Sequence, residues 1–596
     1  MGRRTLGHTR VVTSTPRSAV PGPRPGGGRP ASRKRSRPAR FAPLAIVALA
    51  AFGVGAVVGM SHEPAEAAVA RQWAAAWERG DYPAMHALLS ERARRRASLK
   101  RFVRTYRQAA ETTTLSEVRA QQPRQAGDSA YDLPVRMQTR IFGRLSGRVR
   151  LPIIAEEDGA GVDWRSALVF PGLRTGERLQ RETTQAARGA ILARNGTALA
   201  KGPDRLSDLG PLASEVAGRV GPAPPERADE LARRGVPEGA PVGLNGLERE
   251  FDERLSGSPG GILRAGSRVI ARAEPRAGAD VRSAIDPGIQ RAAVEALAGR
   301  FGGIAVLRPA TGEVLGLSGI AFSAPQPPGS TFKIITLAGA LEAKVVKPGE
   351  KFPVQTETTL EGVKLQNANG EACGGSLRQS FADSCNSVFA PMGAELGAER
   401  LVEAAERFGF NQDPGPLGAA RSTIPAADEI GDDLAVGSTA IGQGKVLATP
   451  LELATVAATI GLRGRRVAPT LSRGSQGKTT RATSERTARV VARFMRTVVK
   501  SGTGVGAQVP GVSVAGKTGT AELRSTVNAD PAPLEPGADP APQADEDKTD
   551  TDAWFVAFAP YRRPRVAVAV LLVGQGAGGE TAAPAAKTVI EAALGR

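Results

Sequence analysis

The spacing of apolar residues changes several times along this chain of 596 residues, and each change marks a different kind of segment. Residues 41–60 are apolar without interruption. Residues 65–95 carry apolar side chains at a helical period, which predicts two helices with Trp73 and Trp77 on one face, packed in a core. Residues 116–170 alternate between apolar and polar positions, which predicts antiparallel strands.

The rest of the chain has the pattern of a domain that mixes strands and helices. Asn195-Gly196 between two apolar runs predicts a hairpin, and residues 201–241 predict a connector with one or two short helices. Residues 283–297 predict a strand and then a helix capped at Asp286, with Pro287 in its first turn. From residue 303 strands alternate with helices to the C-terminus, apart from an acidic segment at 528–552 that we expect to be a mobile loop. The pattern predicts an α/β or α+β class.

The net charge of +20 raises the question of a nucleic-acid partner, and its distribution argues against one. Residues 1–40 hold 11 basic residues and no acid, so this tail alone supplies more than half of the excess. The apolar residues 41–60 follow directly and can cross about 30 Å of hydrocarbon as one helix. We expect a disordered tail in the cytoplasm, a single transmembrane anchor and an extracytoplasmic remainder. A cleaved signal peptide is the alternative, because Ala65-Glu66-Ala67 resembles a cleavage site.

Histidine and cysteine usage restricts the chemistry. His8, His62 and His86 are the only histidines, so the rest of the chain cannot build a Ser-His-Asp or Cys-His triad or a histidine-ligated metal site. A nucleophile there needs a lysine or a carboxylate as its activating base. Cys373 and Cys385 are too few for a disulfide scaffold. An extracytoplasmic location permits one disulfide between them, and two reduced thiols are the alternative.

Three short motifs carry candidate chemistry. Ser330-Thr331-Phe332-Lys333 opens an apolar helix, and its spacing places Lys333 one turn from Ser330, where a neutral amine could take the hydroxyl proton. The dipole of that helix would stabilise an oxyanion formed at Ser330. Ser384-Cys385-Asn386 lies in a predicted helical region. Lys517-Thr518-Gly519-Thr520 ends an alternating run that predicts a strand.

Two further patterns compete with these motifs. Ser475-Gln476-Gly477-Lys478 repeats the first motif in a glycine-rich loop with no helix behind it, and we interpret it as chance. Residues 511–518 match the phosphate-binding loop G-x-x-x-x-G-K-T, which requires a strand before the loop and a helix after it. Here the intervening residues alternate as a strand and the acidic segment follows. An NTPase is therefore not predicted.

Taken in order, the three motifs resemble the set that characterises the penicillin-binding proteins and serine β-lactamases. Trp164 and Phe170-Pro171-Gly172-Leu173 are similar to the nuclear-transport-factor-type N-terminal domain of MecA-type low-affinity transpeptidases. Ala440-Ile441-Gly442-Gln443-Gly444 and Thr449-Pro450-Leu451 resemble a stretch that penicillin-binding transpeptidases carry before Lys-Thr-Gly. Resemblance to the class B penicillin-binding proteins, the monofunctional D,D-transpeptidases, rests on Arg188-Gly189, Arg194-Asn195-Gly196 and Gly246-Leu247-Glu248.

This resemblance implies a multidomain α+β chain. After the transmembrane helix it implies a nuclear-transport-factor-like domain at 63–182 and a reduced dimerisation or pedestal-like region at 186–282. The transpeptidase domain would span 283–596 and contain the acidic loop. Its fold would be that of the serine penicillin-recognising transpeptidases, an antiparallel sheet with helices on both faces.

The same resemblance implies peptidoglycan D,D-transpeptidation through an acyl-enzyme on Ser330, which β-lactams block covalently. Lys333 would act as the base, Ser384 would relay a proton to the leaving amine, and Asn386 would bond Lys333 and the substrate backbone. Lys517 would supply positive charge beside Gly519, the hydroxyls of Thr518 and Thr520 would hold the terminal carboxylate, and the amides of Ser330 and Thr520 would form the oxyanion hole.

No cofactor, metal or nucleic acid is expected. The expected partners are peptidoglycan stem peptides, β-lactams and proteins of cell-wall synthesis or division at the cell membrane. A membrane-bound β-lactam receptor, a catalytically silent cell-wall scaffold and a β-lactamase are the alternatives. A receptor would need a cytoplasmic signalling domain and a β-lactamase would need a deacylating base, while the intact motifs argue against a silent scaffold.

Overall fold

The computed structural model of the chain describes residues 64–157, 159–234, 236, 239–413, 415, 418–522 and 551–596. The predicted tail, the predicted anchor at 41–60 and the predicted acidic loop up to residue 550 lie outside these residues. Among the helices that are described, none combines the length and the apolar character that crossing a membrane requires. Ala65–Arg596 forms one compact unit, in which three regions follow one another along the chain.

Helices pack against an antiparallel sheet in the first region. Three helices occur between residues 65 and 96 where two were predicted: the side chain of Asp81 caps the second helix, and that of Ser90 caps an additional third one. Trp73 and Trp77 are buried in the core of this region, as predicted. The helices are Ala65–Glu78, Tyr82–Ala87, Glu91–Arg96 and Leu99–Thr113, and the strands, antiparallel as predicted, are Leu115–Ala120, Arg124–Gln125, Ala130–Thr139, Gly143–Glu156 and Gly159–Val162.

The second region consists of short elements. The strands Leu179–Thr184, Gly260–Ala265 and Arg268–Ala273 form one antiparallel sheet, so the predicted boundary at residue 182 falls within a strand. Ile191–Leu192 and Ala198–Ala200 form the predicted hairpin, and Val281–Arg282 pairs parallel with its first strand. The remaining elements are the helices Pro211–Ala217, Pro225–Arg234, Gly246–Glu250 and Asp252–Leu255 and the strands Val220–Gly221 and Val242–Gly243. The connector at 201–241 thus contains two short helices, as predicted.

A buried network of ion pairs holds the second region together. Arg188 bonds Glu248 at 2.7 Å and Asp252 at 2.9 Å. Arg205 bonds the other oxygen of Glu248 at 2.7 Å, and Arg227 bonds Asp252 at 3.1 Å. Both carboxylates are buried, and each has two guanidinium partners that compensate its charge. The segments Arg188-Gly189 and Gly246-Leu247-Glu248 therefore meet in space.

A five-stranded antiparallel sheet forms the centre of the third region. Its strands, in spatial order, are Glu313–Gly319, Gly302–Arg308, Val566–Leu572, Thr551–Ala559 and Ala515–Glu522. Ile304 and Val306 face one hydrophobic core, and Ala305 and Leu307 face the other. Because both faces of the sheet are apolar, helices must cover both.

Helices cover the two faces of this sheet, as the resemblance implied. Pro287–Leu297, capped by Asp286 as predicted, and Ala582–Leu594 pack on one face, and Pro450–Gly461 packs on the other. The further helices are Lys333–Glu342, Leu377–Ala382, Asn386–Leu396, Ala398–Phe408, Ala427–Ile430, Asp433–Ala440 and Glu485–Ser501. Three small paired sheets are Lys351–Gln355 with Cys373–Ser376, Glu357–Leu360 with Val363–Gln366, and Arg465–Val467 with Thr479–Arg481.

Local predictions around the motifs were wrong in three places. The strand Ala515–Glu522 begins after the alternating run, so Lys517 lies within the strand, which continues to Glu522. Ser384 has a φ of 66°, a left-handed conformation that separates two helices where one helical region was predicted. The helix predicted to start at Ser330 starts at Lys333. The strand after Lys517 is incompatible with a phosphate-binding loop.

Candidate active site

Ser330 lies in a 3-10 turn, Gly329–Phe332, that leads into the helix Lys333–Glu342. In such a turn, side chains three residues apart lie nearly above one another, which places Lys333 beside Ser330. Ser330 is half-buried, whereas Lys333 is 0% exposed. The hydroxyl is therefore accessible to a substrate, while the amine is shielded from water.

Two oxygen acceptors hold the amine of Lys333. Its Nζ donates to the carbonyl oxygen of Ser384 at 2.7 Å and to Oδ1 of Asn386 at 2.7 Å. These two bonds use both N–H groups of a neutral amine and leave its lone pair free to accept a proton. Burial, and after it the charge of Lys517, lower the pKa of Lys333 well below its ordinary value. Lys333 is therefore suited to act as a base near neutral pH.

The hydroxyl of Ser384 lies between two amines. Its Oγ is 3.4 Å from Nζ of Lys333 and 2.8 Å from Nζ of Lys517. The left-handed backbone at Ser384 allows the carbonyl and the hydroxyl of this one residue both to contact Lys333. Ser384 can therefore exchange a proton with either lysine.

Lys517 lies on the edge strand of the central sheet and is also 0% exposed. Its Nζ donates to Ser384 and, at 3.0 Å, to the carbonyl oxygen of Thr518. Burial lowers the pKa of Lys517 to about 7, although the carboxylate of Asp383 opposes the shift. The site therefore contains two buried amines that are joined through one hydroxyl.

The two threonines of the third motif are two positions apart on the edge strand, so their side chains face the same side of it. Thr518 is buried, and its Oγ1 lies 2.6 Å from Oγ1 of Thr503. The carbonyl oxygen of Thr520 points at Gly329, where a Cβ atom would lie 2.4 Å from it. Because the N–H and C=O of an extended residue face the same side, the Thr520 amide also points out of the sheet edge, towards the Ser330 turn. This direction fits the oxyanion role that the resemblance implies.

Backbone contacts between glycines hold the Ser330 turn in place. The N–H of Gly329 donates to the carbonyl oxygen of Gly442 at 3.0 Å. A Cβ atom on Gly442 would lie 2.0 Å from the carbonyl oxygen of Gly329, and one on Gly519 would lie 2.9 Å from that of Pro328. Such close approaches require glycine. Residues 440–444 therefore support the nucleophile turn directly.

A disulfide lies next to the second motif. It joins Cys373 to Cys385, with the two Cα atoms 5.7 Å apart. Cys385 separates Ser384 from Asn386, and Cys373 begins the strand Cys373–Ser376, so the bond ties the motif to that strand. The Asn386 amide also donates to the carbonyl oxygen of Gln366 at 2.9 Å. These contacts orient Oδ1 of Asn386 towards Lys333.

Sequence reasoning missed several residues that position the site. The rings of Phe389 and Phe381 lie 5.6 Å from Nζ of Lys333 and of Lys517, respectively. The indole N–H of Trp554 donates to the carbonyl oxygen of Pro327, which precedes the nucleophile turn, at 2.8 Å. These partners are separated by up to 227 residues in sequence, so no local pattern marks them. Ser475 and Lys478 are both exposed, in a loop.

The arrangement can carry out acyl transfer. It combines an accessible hydroxyl, a buried amine with a lowered pKa, a second hydroxyl between two amines, and an amide that faces the nucleophile. In the part of the chain that the structure describes, no group of His, Cys, Asp or Glu residues could hold a metal ion.

Sequence models of known families match three parts of the chain. The penicillin binding protein transpeptidase domain matches residues 302–591. The NTF2-like N-terminal transpeptidase domain matches residues 64–177, and the penicillin-binding protein dimerisation domain matches residues 201–268.

Individual relatives agree with these matches. The peptidoglycan D,D-transpeptidase PbpA of Mycobacterium tuberculosis is 34% identical over 414 residues, which cover 58% of this chain and 79% of that protein. The structure of penicillin-binding protein A from M. tuberculosis, an imipenem acyl-enzyme complex, gives a TM-score of 0.51 at 28% identity and covers 69% of this chain and 99% of that one. PBP2 of Pseudomonas aeruginosa in complex with WCK 5153 gives a TM-score of 0.58 at 25% identity, with 69% and 96% covered.

Proposed function

The chain belongs to the class B penicillin-binding proteins, and from this premise we propose that it cross-links peptidoglycan as a D,D-transpeptidase with Ser330 as the acylated residue. Peptidoglycan stem peptides are its substrates, and β-lactams are its covalent inhibitors. The observation that carries the assignment of residues is the pair of 2.7 Å hydrogen bonds from Lys333 to Ser384 and Asn386. These bonds orient a neutral amine with one free lone pair.

In the acylation step, Oγ of Ser330 attacks the carbonyl carbon of the D-Ala-D-Ala bond while its proton moves to Nζ of Lys333. The amides of Ser330 and Thr520 stabilise the oxyanion that forms. Lys333 then returns this proton through Oγ of Ser384 to the nitrogen of the terminal D-Ala. The C–N bond breaks, D-Ala leaves as an amine, and an ester remains on Ser330.

In the second step, an amine of a neighbouring stem peptide attacks this ester. Its proton is taken up through Lys333 and is returned to Oγ of Ser330 as the C–O bond breaks. One amide bond has then replaced another, so the reaction needs no cofactor. The positive charge of Lys517 and the hydroxyls of Thr518 and Thr520 hold the terminal carboxylate of the donor stem.

Covalent labelling with a fluorescent penicillin tests the assignment of residues. Ser330→Ala should abolish labelling, and Lys333→Ala should slow acylation by about 10²–10⁴-fold, the usual contribution of a general base. Ser475→Ala and Lys478→Ala, in the exposed copy of the motif, are the matched controls and should label normally. A penicilloyl adduct found on Ser475 by mass spectrometry, or normal labelling of Ser330→Ala, would refute the assignment.

We further propose that the protein is located at the cell membrane. The apolar length of residues 41–60 and the arginine-rich tail before them support an anchor with the tail in the cytoplasm and the catalytic region outside. Proteins of cell-wall synthesis or division are the partners that this location favours. A reporter enzyme that works only in the cytoplasm should be active when it is fused at the N-terminus. A reporter enzyme that works only outside the cytoplasm should be active when it is fused after Arg596. The reverse result would overturn the topology.

A further inference from the structure

Thr503 borders the carboxylate-binding threonines without belonging to any of the three motifs. It follows the helix Glu485–Ser501, and its Oγ1 lies 2.6 Å from Oγ1 of Thr518. Its backbone N–H donates to the carbonyl oxygen of Ala382 at 3.2 Å. On another side, a Cβ atom on Gly579 would lie 2.3 Å from the carbonyl oxygen of Thr503. These backbone contacts fix the hydroxyl of Thr503 against that of Thr518.

The short distance raises the question of which hydroxyl donates. Each threonine hydroxyl has one proton, and either oxygen can be the donor in this bond. If Thr518 donates to Thr503, its proton is not available to a bound carboxylate. If Thr503 donates to Thr518, the Thr518 proton is free for the cleft. A carboxylate only accepts hydrogen bonds, so the second arrangement is the one that binds it.

Thr503 also has a second acceptor. Its Oγ1 lies 3.3 Å from the carbonyl oxygen of Ala382, which already accepts the Thr503 N–H. With an empty cleft, the Thr503 hydroxyl can therefore donate to Ala382 while Thr518 donates to Thr503. When a carboxylate arrives, a charge-assisted bond from Thr518 replaces a neutral one, and such bonds are about twice as strong. Both hydroxyls then rotate together.

We propose that Thr503 is a positioning residue whose hydroxyl donates to Thr518 and thereby commits the Thr518 hydroxyl to the carboxylate of the substrate. The inference rests on the proposed function, in which Thr518 holds that carboxylate. Thr503 acts through Thr518 and does not touch the reacting atoms. Its contribution is confined to ligands that end in a free carboxylate, such as stem peptides and β-lactams.

This restriction separates the role of Thr503 from a structural one. The carboxylate stays bound before and during acylation, so losing the Thr503 hydroxyl should weaken binding while the rate of the chemical step is kept. A ligand whose carboxylate is esterified cannot use the Thr518 proton in the same way. Its acylation should not depend on the Thr503 hydroxyl.

The test compares benzylpenicillin with its methyl ester on the full-length protein. Thr503→Val replaces the hydroxyl by a methyl group of similar size, and Thr503→Ala removes it with a smaller side chain. Thr503→Ser keeps the hydroxyl and is the rescue variant. Thr497→Val removes another threonine hydroxyl of the preceding helix, one that donates only to a carbonyl oxygen of its own helix, at 3.2 Å, and serves as the control.

For benzylpenicillin, Thr503→Val and Thr503→Ala should raise the dissociation constant of the non-covalent complex about fivefold, the usual effect of one lost neutral hydrogen bond, with the acylation step unchanged. Thr503→Ser and Thr497→Val should resemble the wild type, and the methyl ester should react equally with all variants. Wild-type binding of benzylpenicillin by Thr503→Val, or an equal loss with the ester, would overturn the inference. Labelling of Ser330→Ala would instead refute the proposed function.

Discussion

Replacing Lys517 by methionine should move the rising limb of the pH profile of acylation to higher pH. Nζ of Lys333 and of Lys517 lie 3.4 Å and 2.8 Å from the same Ser384 oxygen. The two nitrogens are therefore at most about 6 Å apart, where two unit charges repel each other by about 2.7 kcal/mol at an effective dielectric constant of about 20. This repulsion disfavours the charged form of Lys333 and so lowers its pKa.

The direction of the shift follows from which form of Lys333 reacts. Lys333 accepts the Ser330 proton only as a neutral amine, so acylation rises as the pH passes its pKa. The charge of Lys517 lowers that pKa, and removing it raises the pKa of Lys333. The rising limb of Lys517→Met should therefore lie at higher pH than that of the wild type. The wild type should also show a falling limb above the Lys517 pKa of about 7, where carboxylate binding weakens, and the variant should lack it.

The assay is the second-order rate constant for acylation by benzylpenicillin, measured between about pH 5 and pH 10. Lys478→Met removes an exposed lysine and is the matched control, so its profile should coincide with that of the wild type. A rising limb that stays in place in Lys517→Met, or moves to lower pH, would refute the reasoning. Either Lys333 would then not be the titrating base, or Lys517 would carry no charge beside it.

Three further predictions concern the support of the site. Glu248→Ala leaves Arg188 and Arg205 buried without their shared partner and should lower the free energy of unfolding by about 3–5 kcal/mol, seen as a lower melting temperature. Glu253→Ala, at an exposed position, should leave the melting temperature unchanged. Equal melting temperatures of the two variants would contradict the network. Gly442→Ala should slow acylation because its Cβ meets Gly329 at 2.0 Å, while Gly444→Ala, with positive φ but its nearest neighbour at 3.9 Å, should slow it far less. The Cys373–Cys385 disulfide closes a loop of 12 residues, so its reduction should lower the free energy of unfolding by about 3 kcal/mol and slow acylation. A melting temperature that does not change with reductant would show that the disulfide does not stabilise the fold.

Features that depend on local chemistry could be predicted from the sequence. Asp286 caps its helix because its side chain accepts from the amides of Gly288 and Ile289, two and three residues ahead. The Asn195-Gly196 turn sets its hairpin for the same reason, since the turn geometry is a property of those residues. The additional helix at Ser90 was missed because one polar cap outweighed the apolar period around it.

The candidate site likewise has features that the sequence predicts and features that it does not. The motifs drew attention to four residues. Hydrogen bonds join Lys333, Ser384 and Lys517, and Ser330 lies in the turn directly before Lys333. The left-handed conformation of Ser384 could not be read from the motif, because a helical stretch on each side concealed the break. Thr503 gave no signal at all, since its role arises only where the end of one helix meets a distant strand.

The complete burial of Lys517 places activity and stability in opposition at one position. Because burial lowers its pKa to about 7 from 10.5, the unfolded chain binds more protons than the native protein between those two values. Stability at this residue therefore rises with pH across that interval, and at and below neutral pH the fold carries the full cost of an interior cation. A methionine there would remove that cost together with the group that attracts the carboxylate. Selection of this protein for heat resistance alone should consequently enrich variants at position 517 that bind the carboxylate poorly.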